Sequence, residues 1–135
     1  MSSLKILIVG LGSIGKRHLE NLLSTTNSQI IIFSKQTKLN FTKNEKIKVF
    51  DSLDKCLLEK PNIGFITNVT SDPIPIAIKL AKFGLDLFIE KPLSNNMTNV
   101  KKLVKIVERE KLITLMGCNL RFDECIKEMK YLIDK

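Results

Sequence analysis

The sequence predicts an α/β fold built on a six-stranded parallel sheet with helices on both faces. Short apolar runs alternate with longer stretches whose apolar residues recur every three or four positions, as in strand–helix–strand units. The runs are almost continuously apolar, which is typical of strands covered by helices on both faces. The predicted strands are residues 4–9, 29–33, 47–50, 63–67, 85–89 and 112–116.

The predicted helices lie between these strands. One follows residue 12, one begins after the capping residues Asp51-Ser52, and one ends at Gly84. A helix over residues 97–110 is expected to bury Val100, Leu103, Val104 and Val107, and an amphipathic helix closes the chain. Residues 34–46 are polar and are interpreted as a loop that can include a short helix. Six strands with helical crossovers predict the Rossmann plan, with strand order 3-2-1-4-5-6.

Composition narrows the possible partners. The net charge is +8, but the lysines are interspersed with acidic residues and no run of five like charges occurs, so no nucleic-acid partner is expected. The apolar runs are too short to span a bilayer, so no membrane partner is expected either. Three widely spaced cysteines fit neither a disulfide framework nor a metal site, and they indicate reduced thiols in a cytoplasmic protein.

A glycine-rich motif follows the first strand and opens the first helix. It reads Gly10-Leu11-Gly12-Ser13-Ile14-Gly15. In this context G-x-G-x-x-G indicates a dinucleotide site, in which the glycines allow a tight turn, a close approach of pyrophosphate and close helix packing. The candidate binding residues are Gly10, Gly12, Ser13, Ile14 and Gly15. The alternative is a tight turn in an α/β domain that binds no nucleotide.

The end of the second strand carries the signal for cofactor choice. NAD-binding domains usually place a carboxylate there, but this sequence has Ser34 and Lys35, with Lys38 beyond. A hydroxyl and an ammonium would accommodate a 2′-phosphate, which a carboxylate would repel. We therefore expect NADP, or tolerance of both cofactors; the alternative is an ordinary solvated loop in a protein that uses NAD.

A third motif, Glu90-Lys91-Pro92, follows the fifth strand, at the sheet edge where ligands bind in open α/β sheets. Lys91 is the candidate catalytic residue, because its ammonium could stabilise an alkoxide that develops as hydride leaves. Glu90 is expected to hold that ammonium in place. The alternative is a surface salt pair at the end of a strand.

These motifs together resemble the glucose–fructose oxidoreductase and inositol dehydrogenase family, Gfo/Idh/MocA. The resemblance rests on GLGSIGKRH at 10–18, EKPLS at 90–94 and GCNLRF at 117–122, in the family's order and spacing. It implies an NAD(P)-binding Rossmann domain over residues 1–120. It also implies a connecting helix over 121–135 that leads toward a second, substrate-binding domain, which this sequence does not contain.

The resemblance also implies residue roles. Gly12, Ser13 and Ile14 would bind the pyrophosphate, and Lys91 would contact substrate and nicotinamide. The remaining positions implied near the cofactor are Asn68, Thr70, Asn119 and Arg121. The fourth-strand loop departs from the family, with Val69 and Pro73 in place of the usual proline and histidine. His18, the one histidine, is interpreted as a helix residue rather than a catalytic base.

The sequence thus predicts the dinucleotide-binding part of an oxidoreductase that acts on a sugar, polyol or sugar derivative by hydride transfer. By itself the chain is expected to be inactive, because the family's acid–base histidine lies in the second domain. The alternative is a dinucleotide-sensing or interaction module without turnover. A homo-oligomer is also expected, since the last helix presents an apolar side formed by Phe122, Ile126, Met129 and Ile133.

Overall fold

The computed structural model describes residues 4–35, 44–68 and 73–135. Within these residues one sheet has six strands in the order β3-β2-β1-β4-β5-β6, and every neighbouring pair is parallel. The strands are β1 (Lys5–Val9), β2 (Gln29–Phe33), β3 (Ile47–Phe50), β4 (Ile63–Ile66), β5 (Asp86–Ile89) and β6 (Thr114–Met116). The predicted fold class and strand order are confirmed.

The helices also follow the predicted pattern. They are α1 (Ser13–Thr25), α2 (Leu53–Leu58), α3 (Ile74–Lys82), α4 (Val100–Glu110) and α5 (Glu124–Ile133), with a short 3-10 helix at Asn119–Phe122. Of the predicted capping residues Asp51-Ser52, Ser52 is the N-cap residue of α2, although its side chain makes no capping hydrogen bond. Much of the predicted 34–46 loop, including Lys38, lies outside the described residues.

Two apolar layers hold the helices to the sheet. Alternate side chains of a strand point to opposite faces, so Ile6 and Ile8 pack with Leu19 of α1, whereas Leu7 and Val9 face the layer that α2, α3 and α4 cover. Both faces of the central strands are therefore buried. This burial explains why their sequences are continuously apolar rather than alternating.

The prediction that Val104 is buried is wrong. Val104 is 46% exposed, and Ile106 is buried in its place. The buried residues of α4 are Val100, Leu103 and Ile106. The face of α4 that packs on α3 is therefore formed by every third residue, and Val104 lies beside this face.

The C-terminal helix α5 stands apart from these layers. It begins at an N-cap, Asp123, whose side chain accepts a hydrogen bond from the amide of Ile126. None of its residues is buried, and Phe122, Ile126, Met129 and Ile133 are all exposed. In the described part of the chain, no helix has the length and apolar content needed to cross a membrane.

Candidate functional site

A cavity of about 570 Å³ opens at the carboxyl ends of β4 and β5, beside the start of α1. The strand order reverses direction between β1 and β4, and such a switch point is where open α/β sheets bind ligands. The volume is in the usual range of small-molecule sites. Four predicted site residues line it, namely Ile14, Asn68, Glu90 and Lys91.

The glycine turn needs its glycines for steric reasons. Gly10 has φ +90°, and a Cβ there would lie 2.6 Å from Cβ of Asn68. A Cβ on Gly15 would lie 2.3 Å from the carbonyl oxygen of Gly10. The first turn of α1 therefore packs directly on the turn that precedes it, as the motif predicts.

The N-terminus of α1 provides the electrostatics of an anion site. Gly12 is the N-cap residue, and it has no side chain with which to cap the amides of the first turn. The first turn contains no acidic residue. The amides at the start of the helix and the positive end of its dipole are thus available to a phosphate, and Ser13 and Ile14 lie at this position.

Thr67 was not predicted as a site residue, yet it fixes the glycine turn. Its side chain is buried, and its hydroxyl donates to the carbonyl oxygen of Gly10 at 2.8 Å; the carbonyl oxygen of Val9 lies 3.2 Å from it. The sequence does contain a signal for this contact: a hydroxyl residue ends the predicted fourth strand, 63–67, and the predicted strand order places that strand beside the first.

The carboxylate of Glu90 does not hold the Lys91 ammonium as expected. One carboxylate oxygen, Oε1, lies 2.7 Å from Nε2 of His18, and the other, Oε2, accepts from the backbone amide of Lys91 at 3.2 Å. Phe88 and Glu90 are two residues apart, so both face α1. This alternation along β5 directs the carboxylate to the helix that carries His18.

His18 is a packed helix residue that nevertheless reaches the site. Its ring makes edge contacts with Phe65 and Phe88, at centroid distances of 5.6 and 5.0 Å. The two phenyl rings stack on each other at 4.7 Å. The interpretation of His18 as a helix residue agrees with this packing, but its contact with Glu90 was not predicted.

The remaining predicted residues lie around this centre. Ser34 and Lys35 follow β2, whose last residue, Phe33, accepts a hydrogen bond from the amide of Gly10, so the β2 end is next to the glycine turn. Asn119 lines a neighbouring cavity of about 370 Å³ that shares Ile14, Glu90 and Lys91 with the first. Arg121 is exposed in the 3-10 helix and is not among the residues lining these two cavities; Thr70 lies outside the described residues.

Two side chains with shifted pKa values lie away from this site. Burial raises the pKa of the Cys56 thiol to about 11, so this cysteine stays a neutral core residue. The hydrogen bond and the charge of Lys55 lower the pKa of Asp51. Cys118 and Cys125 are free and exposed.

Known proteins share both the sequence pattern and the fold. The profile of an oxidoreductase family with an NAD-binding Rossmann fold, GFO_IDH_MocA, matches residues 4–118. Myo-inositol 2-dehydrogenase of Thermotoga maritima is 29% identical over 137 residues, covering 97% of this chain and 41% of that protein.

Solved structures of other proteins have the same fold as this chain. A scyllo-inositol dehydrogenase of Lactobacillus casei, with bound NAD(H) and scyllo-inositol, has a TM-score of 0.84 at 24% identity, over 98% of this chain and 41% of its own. A UDP-N-acetylglucosamine 3-dehydrogenase of Acidithiobacillus ferrooxidans has a TM-score of 0.80 at 17% identity, over 98% and 42%.

The chain spans 39% to 43% of the length of the curated relatives that it matches. The matched segment contains the glycine turn, the Glu90-Lys91-Pro92 motif and the whole parallel sheet. The profile match covers most of the chain, and the fold is that of the family's nucleotide-binding part. This chain therefore belongs to the Gfo/Idh/MocA oxidoreductase family and forms its NAD-binding Rossmann domain.

Proposed function

We propose that the dinucleotide binds across the carboxyl edge of the sheet, with its pyrophosphate at the N-terminus of α1. The observation that supports this most strongly is the turn from Gly10 to Gly15, which leads into an uncapped helix start beside the 570 Å³ cavity. In this arrangement Gly12, Ser13 and Ile14 contact the pyrophosphate. Asn68, Thr70, Glu90, Lys91, Asn119 and Arg121 are the proposed residues of the nicotinamide side.

The whole protein is proposed to oxidise or reduce a sugar, a polyol or a sugar derivative. The nicotinamide supplies hydride transfer when it is bound. Lys91 lies at the cavity and is exposed, and its ammonium can hydrogen-bond a substrate hydroxyl and stabilise negative charge on that oxygen. The myo-inositol 2-dehydrogenase that is similar in sequence and the UDP-N-acetylglucosamine 3-dehydrogenase that is similar in fold support this substrate class.

Cofactor choice is proposed to depend on the end of β2. Ser34 follows Phe33 directly, and its amide donates to the carbonyl oxygen of Phe50 at 3.0 Å, which extends the strand to this point. In the Rossmann plan the adenosine ribose lies at the end of β2. With a hydroxyl and the exposed Lys35 there, we propose that NADP binds at least as well as NAD.

The experiment is a titration of the purified 135-residue chain with NADH and NADPH, followed by nicotinamide fluorescence. Gly12→Val places a branched side chain where the pyrophosphate is proposed to lie, so binding is expected to fall at least tenfold. Ser24→Val, at the far end of α1, is the matched control and is expected to bind normally. Circular dichroism would establish that both variants are folded. A folded Gly12→Val variant with unchanged affinity would place the site elsewhere.

A homo-oligomer is also proposed. The exposed apolar side chains Phe122, Ile126, Met129 and Ile133 lie on the 3-10 helix and α5, where no neighbouring element of the described chain buries them. Apolar patches of this kind on soluble proteins commonly form interfaces.

A further inference from the structure

Three separate sequence motifs meet at the carboxylate of Glu90. His18, from the helix of the glycine motif, contacts Oε1 at 2.7 Å, and the amide of Lys91 donates to Oε2 at 3.2 Å. Gly117, which opens the GCNLRF motif, lies so close that a Cβ on it would be 2.9 Å from Cδ of Glu90. One side chain thus joins α1, the end of β5 and the end of β6.

The pair is enclosed rather than solvated. The side chains of His18 and Glu90 are only 18% and 17% exposed. A carboxylate with little access to water depends on its protein partners, since an unsatisfied polar group at such a position is costly. The His18 ring is itself held by its edge contacts with Phe65 and Phe88, so it presents Nε2 to Glu90 in a fixed direction.

Glu90 forms part of the wall between the two cavities. Ile14, Glu90 and Lys91 line both of them. Ile14 is in the first turn of α1, and His18 is one turn further along the same helix, four residues on. The contact between His18 and Glu90 therefore ties the phosphate-binding helix to the strand end that carries Lys91.

We propose that His18 and Glu90 are a positioning pair that fixes Lys91 relative to the first turn of α1, and that the nicotinamide end of the dinucleotide binds well only while this contact is made. This inference rests on the proposed function. His18 acts through Glu90 and is a positioning residue, not a catalytic one.

The adenosine and pyrophosphate end is independent of this pair. The glycine turn is held by the Thr67 hydroxyl and by the close packing of Gly15 on Gly10, and the end of β2 is joined to Gly10. None of these contacts involves His18 or Glu90. Loss of the pair is therefore expected to affect one half of the ligand and leave the other half unchanged.

The test compares NADH with ADP-ribose, which lacks the nicotinamide, by calorimetric titration of the whole chain. His18→Leu removes the contact, and we expect at least tenfold weaker NADH binding with ADP-ribose binding changed less than twofold. His18→Gln retains an N–H donor that can reach Glu90, so it is expected to restore most of the NADH affinity. Glu20→Gln, an exposed change on the same helix, is the control and should leave both affinities unchanged.

Several results would overturn the inference. Unchanged NADH binding by His18→Leu would show that the pair does not matter, and equal losses for both ligands would show that it only supports the fold. If His18→Leu does not fold, the replacement variant is His18→Asn, whose side chain is too short to reach Glu90. It must likewise bind NADH at least tenfold more weakly while its ADP-ribose affinity changes less than twofold. If the unaltered chain binds neither ligand, the proposed function itself fails, and the inference fails with it.

Discussion

The hydroxyl of Thr67 donates a 2.8 Å hydrogen bond to the carbonyl oxygen of Gly10. Thr67 directly follows β4 and Gly10 directly follows β1, so the bond joins the ends of two neighbouring strands across the switch point. It also fixes the carbonyl on which Gly15 packs. The glycine turn is thus stabilised from outside the motif that defines it.

Thr67→Val should weaken both the fold and dinucleotide binding. The change keeps the shape of the side chain but removes the donor, and leaving a part-buried carbonyl without its partner costs at most about 1–3 kcal/mol. Urea unfolding would measure the loss in the free energy of unfolding. Thr114→Val, in the exposed edge strand β6, is the matched control and is expected to change stability by less than about 0.5 kcal/mol. Equal stability of both variants would show that the hydroxyl contributes nothing.

Gly15→Ala should destabilise the chain, although alanine normally stabilises a helix by about 1 kcal/mol relative to glycine. The added Cβ would lie 2.3 Å from the Gly10 carbonyl oxygen and 2.8 Å from the Thr67 hydroxyl, so the helix must move away from the turn. Overpacking of this kind costs about 1–3 kcal/mol. Thermal unfolding should therefore show a lower midpoint, whereas a higher midpoint would indicate that the helix start is not tightly packed on the turn.

The sequence was sufficient to predict the architecture, because apolar runs that alternate with helical patterns indicate a parallel sheet, and six such runs predict the strand order of the Rossmann plan. The glycine motif and Glu90-Lys91-Pro92 could be placed at one sheet edge for the same reason. The contact between His18 and Glu90 could not be predicted, since the two residues are 72 positions apart and their meeting depends on which face of β5 carries Glu90. Val104 was wrongly predicted to be buried, because the helical repeat of apolar residues does not specify whether Val104 or Ile106 faces the neighbouring helix.

Ser34→Asp should shift cofactor preference toward NAD. The new carboxylate would accept hydrogen bonds from a ribose hydroxyl and would repel a 2′-phosphate. The ratio of NADH to NADPH affinity, measured by fluorescence, is expected to rise at least tenfold, or about 1.4 kcal/mol. Ser24→Asp adds the same charge at the far end of α1 and should leave the ratio unchanged. An unaltered chain that binds NADH tenfold more tightly than NADPH would contradict the proposed preference.

Self-association should depend on the apolar side of α5. Burial of Ile126, Met129 and Ile133 of this helix, together with Phe122 of the preceding 3-10 helix, could contribute on the order of 6 kcal/mol, at about 1.5–3 kcal/mol each. This gain offsets part of the cost of pairing two chains. Light scattering is expected to show species heavier than the 15.3 kDa monomer. The variant Ile126→Glu should reduce them, and Lys127→Glu, at the neighbouring position, should not. A chain that is monomeric at all concentrations would contradict the proposed homo-oligomer.

The most direct test is to map which residues the dinucleotide contacts. An isotope-labelled sample of all 135 residues, titrated with NAD⁺ and followed by amide NMR, should show the largest shift changes at Ser13, Ile14 and Lys91, at the two sides of the cavity. The amides of Lys102 and Lys105, on the exposed side of α4, should not change. Saturable changes at the first three positions would confirm the site, and changes confined to α4, or none at millimolar NAD⁺, would contradict it.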